Sequence, residues 1–256
     1  MQEYIYIYGI NPVVESLLNP AVKINKLYLL PQGKNNDYYL KIAKSRQIKV
    51  VFCSTDKMTA LVQTSKHQSL VLEICKPENY SLTAITTKAL QNRHPFLLVL
   101  DQISDPHNFG AILRTCDLFN VDGVIILEKR QVDINATVAK TSAGAFNYVP
   151  VCRVNNLTNA IEYLKKQGFW IYATSLTTTA HNVSELKYDT PICLIVGNEG
   201  TGISAKLLKH SDFNIYIPTT GHLDSLNVSV ASAILIYQIK MKTAPQKVSK
   251  IKKELY

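Results

Sequence analysis

From residue 96 onward the chain repeats one unit, a short run that is apolar throughout followed by an amphipathic segment. Strands are expected at Phe96–Leu100, Gly123–Leu127, Tyr148–Val151, Phe169–Ala173, Ile192–Val196 and Asn214–Ile217. Helices are expected near Asn108–Phe119, Leu157–Gln167, Ser204–Leu208 and Leu226–Met241. A strand that is apolar on both faces has to be covered on both. The pattern therefore predicts an α/β fold, with a parallel sheet held between two layers of helices. Ligands of such sheets bind beyond the carboxyl ends of the strands, so the loops that follow the strands are where chemistry is expected.

The first 75 residues form a smaller α/β unit. Asn11-Pro12 reads as a helix start, with Asn as cap and Pro at the first helical position. Strands follow at 24–30, 48–52 and 70–74, with a helix over 35–46 and another that Ser54 caps. Residues 76–95 begin and end with prolines and carry one weak helical pattern, which reads as a linker. The expected organisation is thus 1–75, a linker 76–95, a domain over 96–242 and a basic tail over 243–256.

Charge follows the same division. The formal net charge of +9 separates into +5 over residues 1–76, −1 over 77–239 and +5 over 240–256. Basic ends around a neutral middle suit a polyanion partner. The five cysteines, Cys53, Cys75, Cys116, Cys152 and Cys193, are scattered without a CxxC pair, which argues against a zinc site or a disulfide framework. His107, His181 and His222 show no paired metal-ligand spacing, so no metal is expected. No apolar run reaches the length of a membrane span, and the start lacks a signal-peptide pattern, so no membrane partner and a cytoplasmic location are expected.

Three polar loops sit at strand ends. In the first, 100–119, Asp105-Pro106 makes a turn, Asn108 is placed to cap a helix and Arg114 falls on that otherwise apolar helix. In the second, 194–204, three glycines within six residues permit close approach of a ligand to the backbone, or tight turns, with Glu199 held among them. The glycines come late in the chain, which disfavours a standard Rossmann nucleotide site. In the third, 217–238, Ser225 or Asp224 introduces a long helix that begins SLNVSVASA, with Asn227 and Ser229 polar where a purely structural helix would use Leu or Ala.

The segments DPHNFGAILRT, IVGNEGTGIS and IPTTGHLDSLNVSVA, in this order, resemble the three motifs of the SpoU/TrmH branch of the SPOUT RNA 2′-O-ribose methyltransferases. The resemblance covers 96–240. The start YIYGINPVVESLL, with KINKLYLL and KHQSLVLEI, is similar to the small L30e-like RNA-binding domain of the large-subunit rRNA guanosine methyltransferases. Those relatives often read His-Gln-Gly where this chain has His67-Gln68-Ser69.

The resemblance implies a catalytic domain with a C-terminal trefoil knot, S-adenosylmethionine as methyl donor, and donor contacts at Gly197, Asn198, Gly202, Ile217 and Leu226. It implies that Arg114 activates the ribose 2′-hydroxyl, with Asn108, Glu199, Ser225 and Asn227 holding the arginine, ribose and donor in place. It also implies a homodimer and an RNA substrate, with a guanosine of 23S rRNA ahead of tRNA as the target. A family member that binds RNA without catalysis is the remaining alternative. The full set of five polar residues argues against it.

Overall fold

The computed structural model describes residues 3–129, 132–188, 191–198, 200–223 and 225–243. The N-terminal unit is a four-stranded mixed sheet in the order β1-β4-β2-β3. Its strands are β1 (Tyr4–Tyr8), β2 (Ile24–Leu29), β3 (Lys49–Phe52) and β4 (Leu70–Cys75), with helices α1 (Ile10–Leu18), α2 (Asn36–Ser45) and α3 (Thr55–Val62). β1 is a strand the sequence reading left out. It pairs antiparallel with β4, Tyr4 opposite Cys75 and Tyr8 opposite Val71.

Asn11 does not cap α1. The helix already begins at Ile10, after Gly9 in the left-handed region (φ 91°). The free Ile10 N–H is taken instead by the Gln68 side chain, 3.0 Å away. Gln68 and Ser69 both have positive φ, 55° and 60°, a conformation that costs glycine nothing and a side chain something. Buried His67 closes the same turn by accepting from the Ser69 N–H. The His-Gln-Ser segment thus carries a structural task, capping a helix from across the sheet.

Within 76–95 the chain forms α4 (Leu82–Leu90), with Ser81 as its cap. Ile85 and Ala89 are fully buried on the large sheet. A Cβ on Gly123 would lie 2.2 Å from the Ile85 side chain, so this helix is packed tightly against the strand beneath it.

The large sheet has seven strands, all paired in parallel, in the order β7-β6-β5-β10-β8-β11-β9. Its elements are β5 (Phe96–Asp101), α5 (Pro106–Leu118), β6 (Gly123–Leu127), α6 (Ala136–Thr141), β7 (Val151–Val154), α7 (Leu157–Lys166), β8 (Trp170–Thr174), β9 (His181–Asn182), β10 (Ile192–Gly197), α8 (Ala205–Leu208), β11 (Phe213–Tyr216) and α9 (Val228–Thr243). The third strand starts three residues later than expected, because 145–150 turn through a short 3-10 segment before pairing with β6. Period-two alternation sorts each strand between two cores. Phe96, Leu98 and Leu100 meet α5 and α9, while Leu97 and Val99 face α4, α7 and α8. That is why the strands read as unbroken apolar runs.

β10 is laid down after β8 and β9, yet it is inserted between β5 and β8. The chain then adds β11 between β8 and β9 and returns through α9 to pack on α5. This late insertion brings the second and third polar loops to the carboxyl end of β5, beside the first.

The two units share one continuous core and a polar seam. Lys140 of α6 donates to the Lys66 carbonyl at 3.1 Å and lies over the Tyr8 ring. Asn147 donates to Ser16 Oγ at 2.8 Å, and Asp133 pairs with both Lys76 and Arg153. Among the described residues no disulfide joins the five cysteines, and burial pushes the Cys152 thiol up to about 11, with Cys116 and Cys193 raised further. Such thiols are packing residues, not nucleophiles.

Candidate active site at the carboxyl edge of the large sheet

The N-terminus of α5 is capped by Asp105, whose carboxylate accepts from the His107 N–H at 3.0 Å, with Pro106 in the first turn. Asn108 is therefore not the cap. It lies inside the first turn, and its side-chain oxygen accepts from the Asn227 amide at 3.0 Å. Asn227 in turn is the cap of α9. Its oxygen accepts from the Ser229 N–H at 3.0 Å and the Ser229 hydroxyl at 2.6 Å, with the Val230 N–H at 3.4 Å. The long helix so begins after Asn227, not at Ser225, and Asp224 lies outside the described residues. One amide fixes two helix starts against each other, and two helix dipoles present their positive ends at the same place.

Arg114 lies six residues beyond Asn108 on α5. At about 100° per residue it points from a different face of the helix. It is exposed, and no described residue accepts a hydrogen bond or forms an ion pair with it. Ser225 is exposed beside the start of α9. Glu199, expected among the catalytic residues, lies outside the described residues. A single chain thus brings Asn108 and Asn227 together and leaves Arg114 apart.

The glycines of the second loop make a tight turn. A Cβ on Gly197 would meet the backbone of Gly202 and Ile203 at 2.3–2.4 Å. What approaches Gly197 so closely is the chain itself, folding back over the end of β10. The Gly202 N–H bonds the Asn198 carbonyl at 2.8 Å, and Gly202 takes φ +67°. The Asn198 side chain pins the turn, donating to the Gln102 carbonyl at 2.9 Å and accepting from the Gly200 N–H at 2.8 Å. Asn198 thus ties this loop to the loop after β5.

Ile217 and Leu226, both half-buried, bound the segment between β11 and α9. Among the described residues neither main-chain N–H is taken up by a hydrogen bond. Partly buried main-chain donors beside a rigid turn fit a flat heterocycle with ring acceptors, such as adenine. The residues present therefore fit the expected methyl donor.

Sequence reasoning missed Asp101, which closes the run FLLVLD and is buried to 2% exposure. One of its oxygens accepts from the Ser204 N–H at 2.9 Å. A charged residue ending an otherwise apolar strand was the available signal. No described group of His, Cys, Asp and Glu is placed to hold a metal ion. No described helix is long and apolar enough to cross a membrane.

Two family models match this chain, the SpoU rRNA methylase family over residues 95–237 and the RNA 2′-O ribose methyltransferase substrate-binding family over residues 6–80. The chain belongs to the SpoU rRNA methylase family. An uncharacterized tRNA/rRNA methyltransferase of Borreliella burgdorferi is 39% identical over 209 residues, covering 78% of this chain and 90% of that one. A Bacillus subtilis protein provisionally assigned to the TrmH family of tRNA/rRNA methyltransferases is 33% identical over 250 residues, 95% of this chain and 98% of its own. In structure, an AdoMet-bound rRNA methyltransferase from Sinorhizobium meliloti matches with a TM-score of 0.79 at 22% identity, over 93% of this chain and 87% of that one. The SpoU methyltransferase AviRb from Streptomyces viridochromogenes matches at 0.78 and 18%, over 93% and 89%. At such identities the structural likeness is one of fold: a SPOUT catalytic domain carrying a small N-terminal α/β domain.

Proposed function

We propose that this protein transfers a methyl group to a ribose 2′-hydroxyl of RNA, and that its target is a guanosine of 23S rRNA. As a member of its family it is an RNA methyltransferase that uses S-adenosylmethionine. The observation that carries the site assignment is the Asn108–Asn227 bond, which gathers the first and third motifs around the stapled second one. When bound, the donor supplies an activated sulfonium methyl group. Gly197, Ile217 and Leu226 hold it through main-chain groups, with Asn198 and Gly202 fixing the turn beside it.

A ribose hydroxyl is a weak nucleophile at neutral pH, so the residues around it must orient it and offset the charge that develops as its proton leaves. The Arg114 guanidinium cannot serve as a literal base, since it stays protonated. It orients the hydroxyl and stabilises the developing oxyanion, the paired helix N-termini hold the adjacent phosphate, and the hydroxyl proton passes through that phosphate to water as the oxygen takes the methyl group. Asn108, Asn227, Ser225 and Glu199 position ribose and donor.

Arg114 reaches this site in a homodimer. Val230, Ile234 and Tyr237 form an exposed apolar stripe on α9 at helical spacing. Leu118, 68% exposed and one turn from Arg114, continues it on α5. A second copy seated on this face covers the stripe and brings Arg114 to the neighbouring site. Ile234→Glu should then give monomers in analytical ultracentrifugation that bind donor without methylating RNA; a fully active monomer would refute the shared site. The trefoil knot belongs to the same reading, supported by the late insertion of β10.

The substrate is tested by incubating the protein with labelled donor and with 23S rRNA or tRNA transcripts, then mapping the modified ribose. A single 2′-O-methylguanosine in 23S rRNA is expected. Label on tRNA alone would replace the substrate, and no 2′-O-methyl product on any RNA would overturn the reading.

A further inference from the structure

A second polar cleft opens on the opposite face of the large sheet. It encloses roughly 520 Å³ beyond the carboxyl ends of β5, β6 and β7, between the first turn of α7 and the start of α8. That volume lies in the usual range of small-molecule sites. Asp101 lines it together with Gln102, Asn155, Thr158 and Ser204. By strand alternation Asp101 points with Leu97 and Val99, away from the α5–α9 face that holds Asn108 and Asn227.

Asp101 is the anomaly. Its carboxylate is 2% exposed, one oxygen is met by the Ser204 N–H, and no described residue donates to the other. No ion pair neutralises it among the described residues, although two lysines, Lys129 and Lys206, stand exposed at the mouth of the same cleft beside Glu128. A buried carboxylate left with half its acceptor capacity open is costly unless something supplies donors.

We propose that this cleft is a nucleotide subsite, distinct from the donor loop, in which Asp101 reads the N–H edge of a guanine base while Lys129 and Lys206 meet its phosphate. A carboxylate is an acceptor only, so it selects bases by their donors. Guanine offers a ring N–H and an amino group side by side, one for the open oxygen and one for the second lone pair of the oxygen that Ser204 already meets. Uracil offers one ring N–H, and hypoxanthine lacks the amino group. The cleft is joined to the reaction site by short, stiff links. Ser204 ends the glycine loop and Gln102 holds Asn198, so a base seated here is one loop away from the donor. The proposal rests on the RNA reading only for the source of the nucleotide, which is either a residue of the RNA substrate or a free nucleotide.

The test uses the full-length protein saturated with S-adenosylhomocysteine and titrated with GMP, IMP and UMP by calorimetry. GMP should bind about ten-fold tighter than IMP, with UMP weakest. Asp101→Asn should reduce the GMP preference to less than about two-fold. Lys206→Ala, at an exposed position, should weaken GMP without affecting guanosine. This second variant and the GMP–IMP comparison decide the matter even if Asp101→Asn fails to fold. Equal affinity for the three nucleotides, no GMP binding to the S-adenosylhomocysteine-saturated protein, or undiminished GMP preference in a folded Asp101→Asn variant would each overturn the subsite. A rise in the KM for RNA when GMP is added assigns the base to the RNA substrate, and an unchanged KM with GMP bound assigns it to a free nucleotide; both uphold the site. GMP binding without any RNA methylation would retain the subsite and remove the proposed function.

Discussion

The polar groups of the N-terminal unit and several of those at the carboxyl edge of the large sheet are treated in opposite ways. In the N-terminal unit they are matched. The Arg46 guanidinium donates to the carbonyls of Ser16, Leu17 and Val22 at 2.8–3.0 Å, gathering the end of α1 and the start of β2. Glu73, 5% exposed, receives hydrogen bonds from Tyr28 and Asn25 at 2.8 Å and from Lys26 at 3.2 Å. His67 uses both ring nitrogens, with Thr59 and Ser69. At the sheet edge buried Asp101 is half-matched and the N–H groups of half-buried Ile217 and Leu226 are open among the described residues, while exposed Arg114 is bonded to no described residue. The difference separates scaffold from site. A matched buried group holds the fold, and an unmatched one beside a cleft is held ready for a ligand.

The largest effect that would test this contrast is at Arg114. Arg114→Ala should lower the rate of methyl transfer by about 10²–10³, on the scale of losing one preorganised oxyanion donor. Donor affinity and melting temperature should not change, because the side chain supports nothing in the fold. Label incorporation, donor titration and thermal melting check the three parts, and a fall in melting temperature would make Arg114 a scaffold residue.

Gly197→Ala should come next. Its Cβ would fall within 2.4 Å of the returning backbone, so the loop has to shift, at a cost of about 1–3 kcal/mol in stability and with loss of donor binding in calorimetry. Unchanged donor affinity would detach the glycine loop from the donor site.

On the scaffold side, Glu73→Gln should destabilise the protein by about 1–3 kcal/mol in urea unfolding while leaving donor binding intact. Its pH dependence has a definite sign. Burial pushes the Glu73 carboxyl up, but the hydrogen bonds from Tyr28, Asn25 and Lys26 outweigh it and hold the carboxyl below its ordinary value of 4.5. A lowered folded value means the stabilisation is present above pH 4.5 and is lost as pH falls from there through the folded value. The acid limb of the wild-type stability curve should therefore flatten in Glu73→Gln. Burial likewise lowers His67 from 6.5, so its contribution is whole above pH 6.5 and declines below it.

The smallest effect should come from the basic tail, whose residues 244–256 lie outside those described. Deleting them should weaken RNA binding modestly and flatten its salt dependence, read by filter binding across a salt series, without moving the methylated position.

Much of this protein could be read from its sequence for local reasons. Most strand and helix assignments between 96 and 241 follow from apolar periodicity, with the short α6 and β9 the exceptions, and the charge division follows from counting. The three motifs could be found because each is continuous in sequence, and they led to Asn108, Arg114, Gly197 and Asn227 without coordinates. What periodicity could not supply is anything set by contacts between distant segments. Asp105 and Asn227, not Asn108 and Ser225, cap their helices, because a side chain two or three places away had the better line to the free N–H groups. Gln68 caps a helix 58 residues away. Gly197 is glycine because the chain folds back on itself, and Asp101 stands open because β10 enters between strands laid down before it. Local sequence determines which elements form, since propensity and patterning act over a few residues. Only the tertiary structure decides which polar groups find partners, since that depends on what the fold brings near.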